Sequence, residues 1–405
     1  MALVSAAVTT FNVENYGGPL YNITPEDTPL LAAIGGSFGG DLVNTTVFGW
    51  QEHDLRSASQ TSALEGAAAP TASARSRDNV NNVLQIIHET VDVSYTKQAT
   101  AMQLGDIDSA HPLVMSDGQP NPVTDEMAWQ IEVRLKEIKR DIEFALINGV
   151  FAEPANNSSA RTTRGLLAAI TTNSTDLAGT SDATESGSSE SDDLITAAAH
   201  GLSNGDKIQF TALTGGAGLV INRTYFVVNI TTGNFQVADT SGGAAIDFTT
   251  DISAGTFEPV TDLEDSHVLD LMQDVWDNGG ISEQETAVIV ANSWNKRRLT
   301  EQFLGVSTAG FRQDDRQVGG VNLATFDTDF GRINIMLNRY IPENTVMVVS
   351  LEELRLKWLN RADGPFVIEQ IGRVGSNVEE QFYGEWGLMY GNQRAHGEIS
   401  GLSTK

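Results

Sequence analysis

The stretch 121–150 carries apolar residues at the three- and four-residue spacing of one helix face. The apolar positions are Met127, Ile131, Leu135, Ile138, Ile142, Ala145 and Leu146, and the charged positions assigned to the opposite face are Glu132, Lys136, Lys139, Arg140 and Glu143. Gly149 is suited to end the helix. The pattern predicts one helix of ~25 residues, about 38 Å long, that lies along a sheet.

Shorter helices are predicted from cap residues and apolar spacing. Thr24-Pro25-Glu26-Asp27 has the composition of a helix start, and Gly35-Gly36 that of a helix stop. Two further helices are predicted at 261–280, with an apolar face, and at 293–304, "SWNKRRLTEQFL". The apolar face of the first is formed by Leu263, Val268, Leu271, Met272 and Val275.

Unbroken apolar runs predict strands that are buried on both faces, namely "TAVIVA" (286–291) and "TVMVVS" (345–350). A hairpin is predicted between them, in 321–338. The aromatic-rich C-terminal segment predicts strands of a second sheet that packs against the long helix.

Residues 45–98 predict a long, protruding hairpin. Its outgoing strand contains Val47, Phe48 and Trp50, and alternating residues in 83–95 predict the returning strand. The tip, roughly 52–80, is rich in Ala, Ser, Thr and Gly and has too little apolar surface to fold alone. A hairpin of this kind is suited to lie across a neighbour.

A Gly/Ser/Asp/Glu linker at 176–192 leads into a β-rich module that interrupts the mixed pattern until Thr261. Its candidate strands are 206–212, 225–230, 234–238 and 246–249, separated by Gly-containing turns.

The composition excludes several classes of function. Asp and Glu total 53 against 25 Lys and Arg, giving a net charge of −28, and such a chain repels nucleic acid over most of its surface. The acidity also fits a host that lives at high salt. Absence of cysteine excludes disulfides and thiol chemistry. Neither a membrane span nor a secretory signal is expected.

Gly201-Leu202-Ser203-Asn204-Gly205 matches the G-x-S-x-G pattern of a hydrolase nucleophile elbow, and His200 precedes it. An elbow needs a helix after the serine, whereas the next residues predict a strand. We therefore interpret Asn204-Gly205 as a turn and predict no enzyme. The 6 histidines lack metal-ligand spacing and no Gly-rich phosphate motif occurs, so no metal or cofactor is expected.

Several segments, in this order, resemble those of the major capsid proteins of tailed double-stranded DNA viruses of bacteria or archaea, and specifically the SU10-type branch of the HK97-type fold. These are "ITPEDTPLLAAIG" (23–35), "TRGLLAAI" (163–170), "SWNKRRLTEQFLG" (293–305), "FDTDFGRINIMLNRYIP" (326–342) and "GNQRAHGEISGL" (391–402). The resemblance covers nearly the whole chain except about 186–257, and it implies an α+β fold.

The resemblance also implies a domain order. It consists of an N-terminal arm (1–44), an extended loop (45–98), a peripheral domain (99–162) with its spine helix at 121–150, an axial domain (163–185 and 258–345), a β-rich insertion domain (186–257) that faces outward, and C-terminal strands (346–405) that return to the peripheral domain.

The implied function is self-assembly, in the host cytoplasm, into pentamers and hexamers of an icosahedral virion capsid. The shell encloses double-stranded DNA without sequence-specific binding and without a membrane. Its partners are further copies, a portal, and scaffolding or decoration proteins. As assembly contacts we predict Trp50, Arg56, Arg75 and Arg77 in the extended loop, and the basic cluster Lys296, Arg297 and Arg298. That cluster could instead touch a phosphate backbone, but pairing with acidic groups is favoured.

Two other functions stay open. The chain could be a capsid decoration or receptor-binding protein that uses the β-rich module, or a hydrolase that uses Ser203.

Overall fold

The computed structural model describes residues 22–36, 39–99, 126–179, 182–184, 192–198, 200–281, 287–305, 325–328, 330–372 and 375–404. Within them the chain is α+β, as predicted. Most of the predicted arm and the first residues of the predicted long helix lie outside the described residues. The helices are α1 (Pro29–Ala33), α2 (Tyr95–Ala99), α3 (Glu126–Asn148), α4 (Leu166–Ala169), α5 (Asp265–Asp277) and α6 (Ser293–Gly305).

The strands are numbered in chain order. They are β1 (Asp41–Val43), β2 (Val47–Glu52), β3 (Asp78–Val83), β4 (Gln85–Ser94), β5 (Ser174–Asp176), β6 (Asp182–Thr184), β7 (Ile195–Thr196), β8 (Lys207–Thr214), β9 (Thr224–Val228), β10 (Asn234–Ala238), β11 (Ala254–Pro259), β12 (Ala287–Ala291), β13 (Thr325–Thr328), β14 (Gly331–Leu337), β15 (Val346–Ser350), β16 (Arg355–Leu359), β17 (Phe366–Gln370), β18 (Asn377–Met389) and β19 (Gly397–Ser400).

One sheet, called the spine sheet below, lies against α3. Its order is β1-β16-β18-β17, and β4 pairs along the other side of β18. The apolar face of α3 packs here as predicted, because Ile138, Ile142 and Leu146 are buried in one core with Val91 and Trp386. At 23 residues, α3 is about 34 Å long.

A second sheet, called the central sheet, has the order β13-β14-β12-β15-β19-β5. All residues of β12 and β15 are buried, as their unbroken apolar runs predict. Alternate side chains enter two different cores: Val290 and Met347 join the core of the spine sheet, whereas Ile289 and Val348 join a core formed with α5 and α6. A strand with two apolar faces is therefore required at this position.

The described strands of the C-terminal segment 346–405 divide between two sheets: β16, β17 and β18 join the spine sheet, whereas β15 and β19 lie in the central sheet. Gly397 allows β19 to lie close to α5, because a Cβ at this position would be 2.7 Å from side-chain atoms of Leu271 and Val275. The close approach of helix and strand needs a residue without a side chain.

The third sheet, called the insertion sheet, has the order β6-β11-β8-β9-β10-β7 and encloses a core of its own. The strand 234–238 is confirmed and two others are shifted by one to two residues. The predicted strand 246–249 is not a strand, although Phe248 is buried in the core. β6, β7 and β11 were not predicted, so the sheet starts before 186 and ends after 257. Each depends on a partner distant in sequence, as β11 pairs with both β6 and β8.

β2 and β3 form a separate two-stranded hairpin, called the ribbon together with its connecting tip (53–77). The prediction that 83–95 returns along the outgoing strand is wrong, because β3 does so and β4 joins the spine sheet. Val83 and Leu84 are fully buried at the corner between them, which turns the chain into the core.

Candidate assembly surfaces

Among the described residues, the ribbon has the longest exposed segment that connects two paired strands. Every residue from 53 to 79 is exposed, including Leu55 (82%) and Leu64 (86%). The Arg56 guanidinium donates hydrogen bonds to the hydroxyls of Ser59 (2.7 Å) and Thr61 (3.1 Å). Within the described residues, Arg75 and Arg77 form no ion pair. The tip thus presents apolar side chains and cations that its own subunit leaves uncovered.

The base of the ribbon is fixed to its own subunit through Trp50. Its indole Nε1 donates to the carbonyl of Gly391 (2.9 Å) and to the Glu52 carboxylate (3.0 Å). The ring meets Tyr390 edge-on, with centroids 4.8 Å apart. Trp50 is one of the predicted assembly contacts, and in the single subunit its side chain makes these contacts within its own chain. The ribbon is therefore held at one end and exposed at the other.

Two cations of the basic cluster of α6 pair with acidic groups of the same chain. Arg298 pairs with Asp262 (3.1 Å) and Glu301 (3.4 Å), and Arg297 pairs with Glu301 (3.5 Å). Burial lowers the pKa of Lys296. The acids that Arg297 and Arg298 contact belong to the same chain, and the predicted assembly contacts of this cluster stay a prediction.

Asp262 links α6 to the insertion sheet. Its carboxylate accepts a hydrogen bond from Lys207 of β8 at 2.5 Å, while its other oxygen contacts Arg298. Asp262 therefore lies between two cations from two parts of the fold.

The Ser203 motif forms a turn between strands, as the sequence predicts. Ser203 is exposed, and its backbone N–H donates to the Asp206 carboxylate at 2.7 Å. The next element is β8, so no helix follows. His200 is buried; its Nδ1 accepts from the Leu202 N–H, which leaves Nε2 to donate to the Thr231 carbonyl (both 3.1 Å). The imidazole is thus engaged in holding the loop, and the arrangement lacks the geometry of a nucleophile elbow.

A buried carboxylate docks the N-terminal helix onto α3. Glu143 Oε1 accepts from the Leu30 N–H (2.9 Å) and Oε2 from the Leu31 N–H (2.7 Å), and Asn338 donates to Oε1. Glu143 is fully buried, so its assignment to the solvent face of the long helix is wrong. Ile147, one turn later and also buried, is the sequence signal that the apolar face extends to this side.

The same carboxylate explains why α1 starts at Pro29 and not at Pro25. The free N–H groups of a first helical turn need acceptors, and Glu143 supplies them for Leu30 and Leu31. Thr28, at the cap position, makes no side-chain cap bond. The predicted stop is confirmed, with Gly35 and Gly36 at φ +121° and +84°.

Other site types receive no support from the described residues. No group of three or more His, Asp or Glu side chains there could hold a metal ion. Across the same residues, no helix is long and apolar enough to cross a membrane.

Comparisons with known proteins agree with this architecture. The family model for the SU10 major capsid protein matches residues 3–403. The major capsid protein of Escherichia phage Phieco32 is 30% identical over 128 residues, which span 31% of this chain and 30% of that relative's length.

Two solved structures share the fold at low identity. A cyanophage A-1(L) capsid asymmetric unit gives a TM-score of 0.53 at 10% identity, covering 99% of each chain. The capsid of an empty GTA particle gives 0.50 at 12% identity, covering 99% of this chain and 100% of that chain.

The sheets, the long helix and the ribbon therefore show the HK97-type fold that capsid subunits share. The chain belongs to the SU10 major capsid protein family, a family of shell-forming structural proteins, as its sequence motifs predict.

Proposed function

We propose that this chain is the repeating wall subunit of a virion: copies form pentamers and hexamers, which close into an icosahedral shell around double-stranded DNA. Family membership supports the shell role. The observation that carries the proposal is the ribbon, whose base is bonded to its own subunit while residues 53–79 stand exposed. Repeated contacts of this kind suit closed symmetric assembly.

The tip has the chemistry of a surface that a second copy covers. Burial of Leu55 and Leu64 would remove apolar area from water, which stabilises by roughly 25 cal/mol per Å². Arg56, Arg75 and Arg77 are the cations of the tip, and each neighbouring copy carries a net charge of −28. Many modest contacts per subunit then add up through avidity.

The acidic composition supports passive enclosure of DNA, because the counterion release that drives DNA binding needs Lys and Arg. The outward-facing insertion, the portal, any scaffolding or decoration protein, assembly in the host cytoplasm and the absence of enzymatic activity remain parts of the proposal.

Negative-stain electron microscopy of the expressed protein tests the wall function. Wild-type protein is expected to form uniform shells or capsomers. The double variant Leu55→Asp with Leu64→Asp is expected to keep its far-UV spectrum and unfolding midpoint but to lose shell formation, because the covered apolar surface becomes charged.

A matched control places the same charges on the insertion. Val220 and Ile221 are 53% and 43% exposed, and their double Asp variant is expected to assemble like wild type. Normal shells from the tip variant would overturn the role of the ribbon. A wild-type chain that stays monomeric or trimeric and binds to preformed shells would favour the decoration function instead.

A further inference from the structure

Residues Leu402–Thr404 run between the body of the subunit and the insertion sheet. At the body end, Leu402 is fully buried in the core with α5, and its N–H donates to the Asn344 carbonyl (3.1 Å). The Ser403 N–H donates to the Thr261 carbonyl (2.8 Å), and the Ser403 carbonyl accepts from the indole of Trp294 in α6 (3.1 Å). This end of the segment is bonded from two sides.

The other end of the segment is bonded to the insertion sheet. The Thr404 N–H donates to the Thr224 hydroxyl (2.8 Å), and the Thr224 N–H donates to the Thr404 hydroxyl (3.2 Å). The two hydroxyls are 2.9 Å apart. Gln209 of β8 donates from Nε2 to the Thr224 hydroxyl (2.9 Å) and to the Leu402 carbonyl (3.3 Å). Thr224 and Thr404 thus form a reciprocal pair.

These hydrogen bonds matter for stability because their polar atoms are buried. Gln209 is 3% exposed and Thr224 is fully buried, so without the segment their polar atoms would lose partners in a place that the segment closes to water. The insertion has its own apolar core, separate from the core that holds Leu402. The segment therefore joins the two parts through polar groups, whose hydrogen bonds are directional.

We propose that Leu402–Thr404 is a strap that sets the orientation of the insertion on the body of the subunit. Leu402 anchors the strap in the body, and Thr404 binds β9. The ion pairs of Asp262 with Lys207 and Arg298 act at the same junction. In the shell of the proposed function, on which this consequence rests, every insertion would then have the same orientation relative to its own subunit.

Hydrogen exchange on unassembled full-length subunits tests the strap. Thr404→Val keeps the side-chain shape and removes the acceptor of the Thr224 N–H. Exchange of the Thr224 amide is expected to become about tenfold faster, as for one lost hydrogen bond. Amides of β12 are expected to keep their protection, which shows that the variant is folded.

Two matched variants separate the strap from a general effect. Thr404→Ser keeps the hydroxyl and is expected to restore slow exchange. Thr211→Val removes a hydroxyl that bonds Thr256 on an exposed part of β8, and is expected to leave Thr224 unchanged. Unchanged exchange in Thr404→Val, or an equal effect of Thr211→Val, would overturn the strap.

Cryo-electron microscopy gives a second readout. In shells of Thr404→Val, density for the insertion is expected to weaken relative to the central sheet, whereas equal density would count against the strap. Because exchange is measured on free subunits, failure of the chain to form shells would contradict the wall function and leave the exchange test of the strap intact.

Discussion

At the scale of single residues, Glu143 joins three segments that are far apart in sequence. Burial raises the pKa of its carboxyl, and the hydrogen bonds donated by Leu30, Leu31 and Asn338 act in the opposite direction. Glu143→Gln replaces one acceptor oxygen by an N–H₂ group that faces donors. We expect a loss of about 1–3 kcal/mol in the free energy of unfolding, measured by urea denaturation of unassembled subunits.

The control for this prediction is Glu132→Gln on the same helix, where the carboxylate forms an exposed pair with Lys136 at 3.2 Å. Its expected effect is within about 0.5 kcal/mol. Equal losses in the two variants would mean that Glu143 does not dock α1.

His396 predicts a pH dependence of stability. Burial lowers its pKa from 6.5 to about 4, while the bond to the Tyr390 carbonyl acts the other way. Between these two pH values the unfolded chain binds a proton that the folded chain does not. The stabilisation by the neutral imidazole is therefore fully present above pH 6.5. As the pH falls toward 4, the free energy of unfolding decreases by about 3 kcal/mol.

Urea denaturation at pH 7 and pH 4.5 tests this linkage in unassembled subunits. His396→Gln is expected to lose less stability than wild type on acidification, whatever its stability at pH 7. His53→Gln, at an exposed position in the ribbon tip, is expected to follow wild type. Equal losses of stability on acidification in His396→Gln and wild type would show that the buried imidazole does not cause the pH dependence.

At the scale of elements, Trp50 is one of the side chains that hold the base of the ribbon to its own subunit. Trp50→Leu removes the hydrogen bonds to Gly391 and Glu52 and the edge contact with Tyr390. We expect the free energy of unfolding to fall by about 2 kcal/mol and the amides of β2 and β3 to exchange faster. The amides of the spine sheet are expected to keep their protection from exchange. Trp276→Leu, at an exposed indole in α5, is the control, and faster exchange in the ribbon of that variant would contradict a specific anchor.

Elements whose pattern is local were predicted well. The apolar face of α3 and the apolar runs of β12 and β15 can be recognised from neighbouring residues in the sequence. The errors concern elements that distant partners decide. α1 starts where Glu143 supplies acceptors, and β11 exists because β6 and β8 flank it. The uncovered tip was predictable from composition, whereas the role of Trp50 was not, since Gly391 is 341 positions away.

At the scale of the whole molecule, the net charge of −28 opposes association of copies. Salt screens this repulsion over about 10 Å at 0.1 M. We expect shell formation, followed by light scattering, to increase as salt rises from about 0.05 to about 0.3 M, and also with divalent cations. Steady weakening of assembly over this range would show that attraction between opposite charges, and not repulsion, controls association.

The position of β19 has a consequence for synthesis. The strands that it joins are complete well before Gly397–Ser400 emerge from the ribosome, since β5 ends at Asp176 and β15 at Ser350. Until then their facing edges lack a partner, and open edges favour unspecific association over ordered contacts. Translation thus has to pass Ser400 before the central sheet can close, and we expect a fragment that lacks β19 to leave the facing edges of β5 and β15 open.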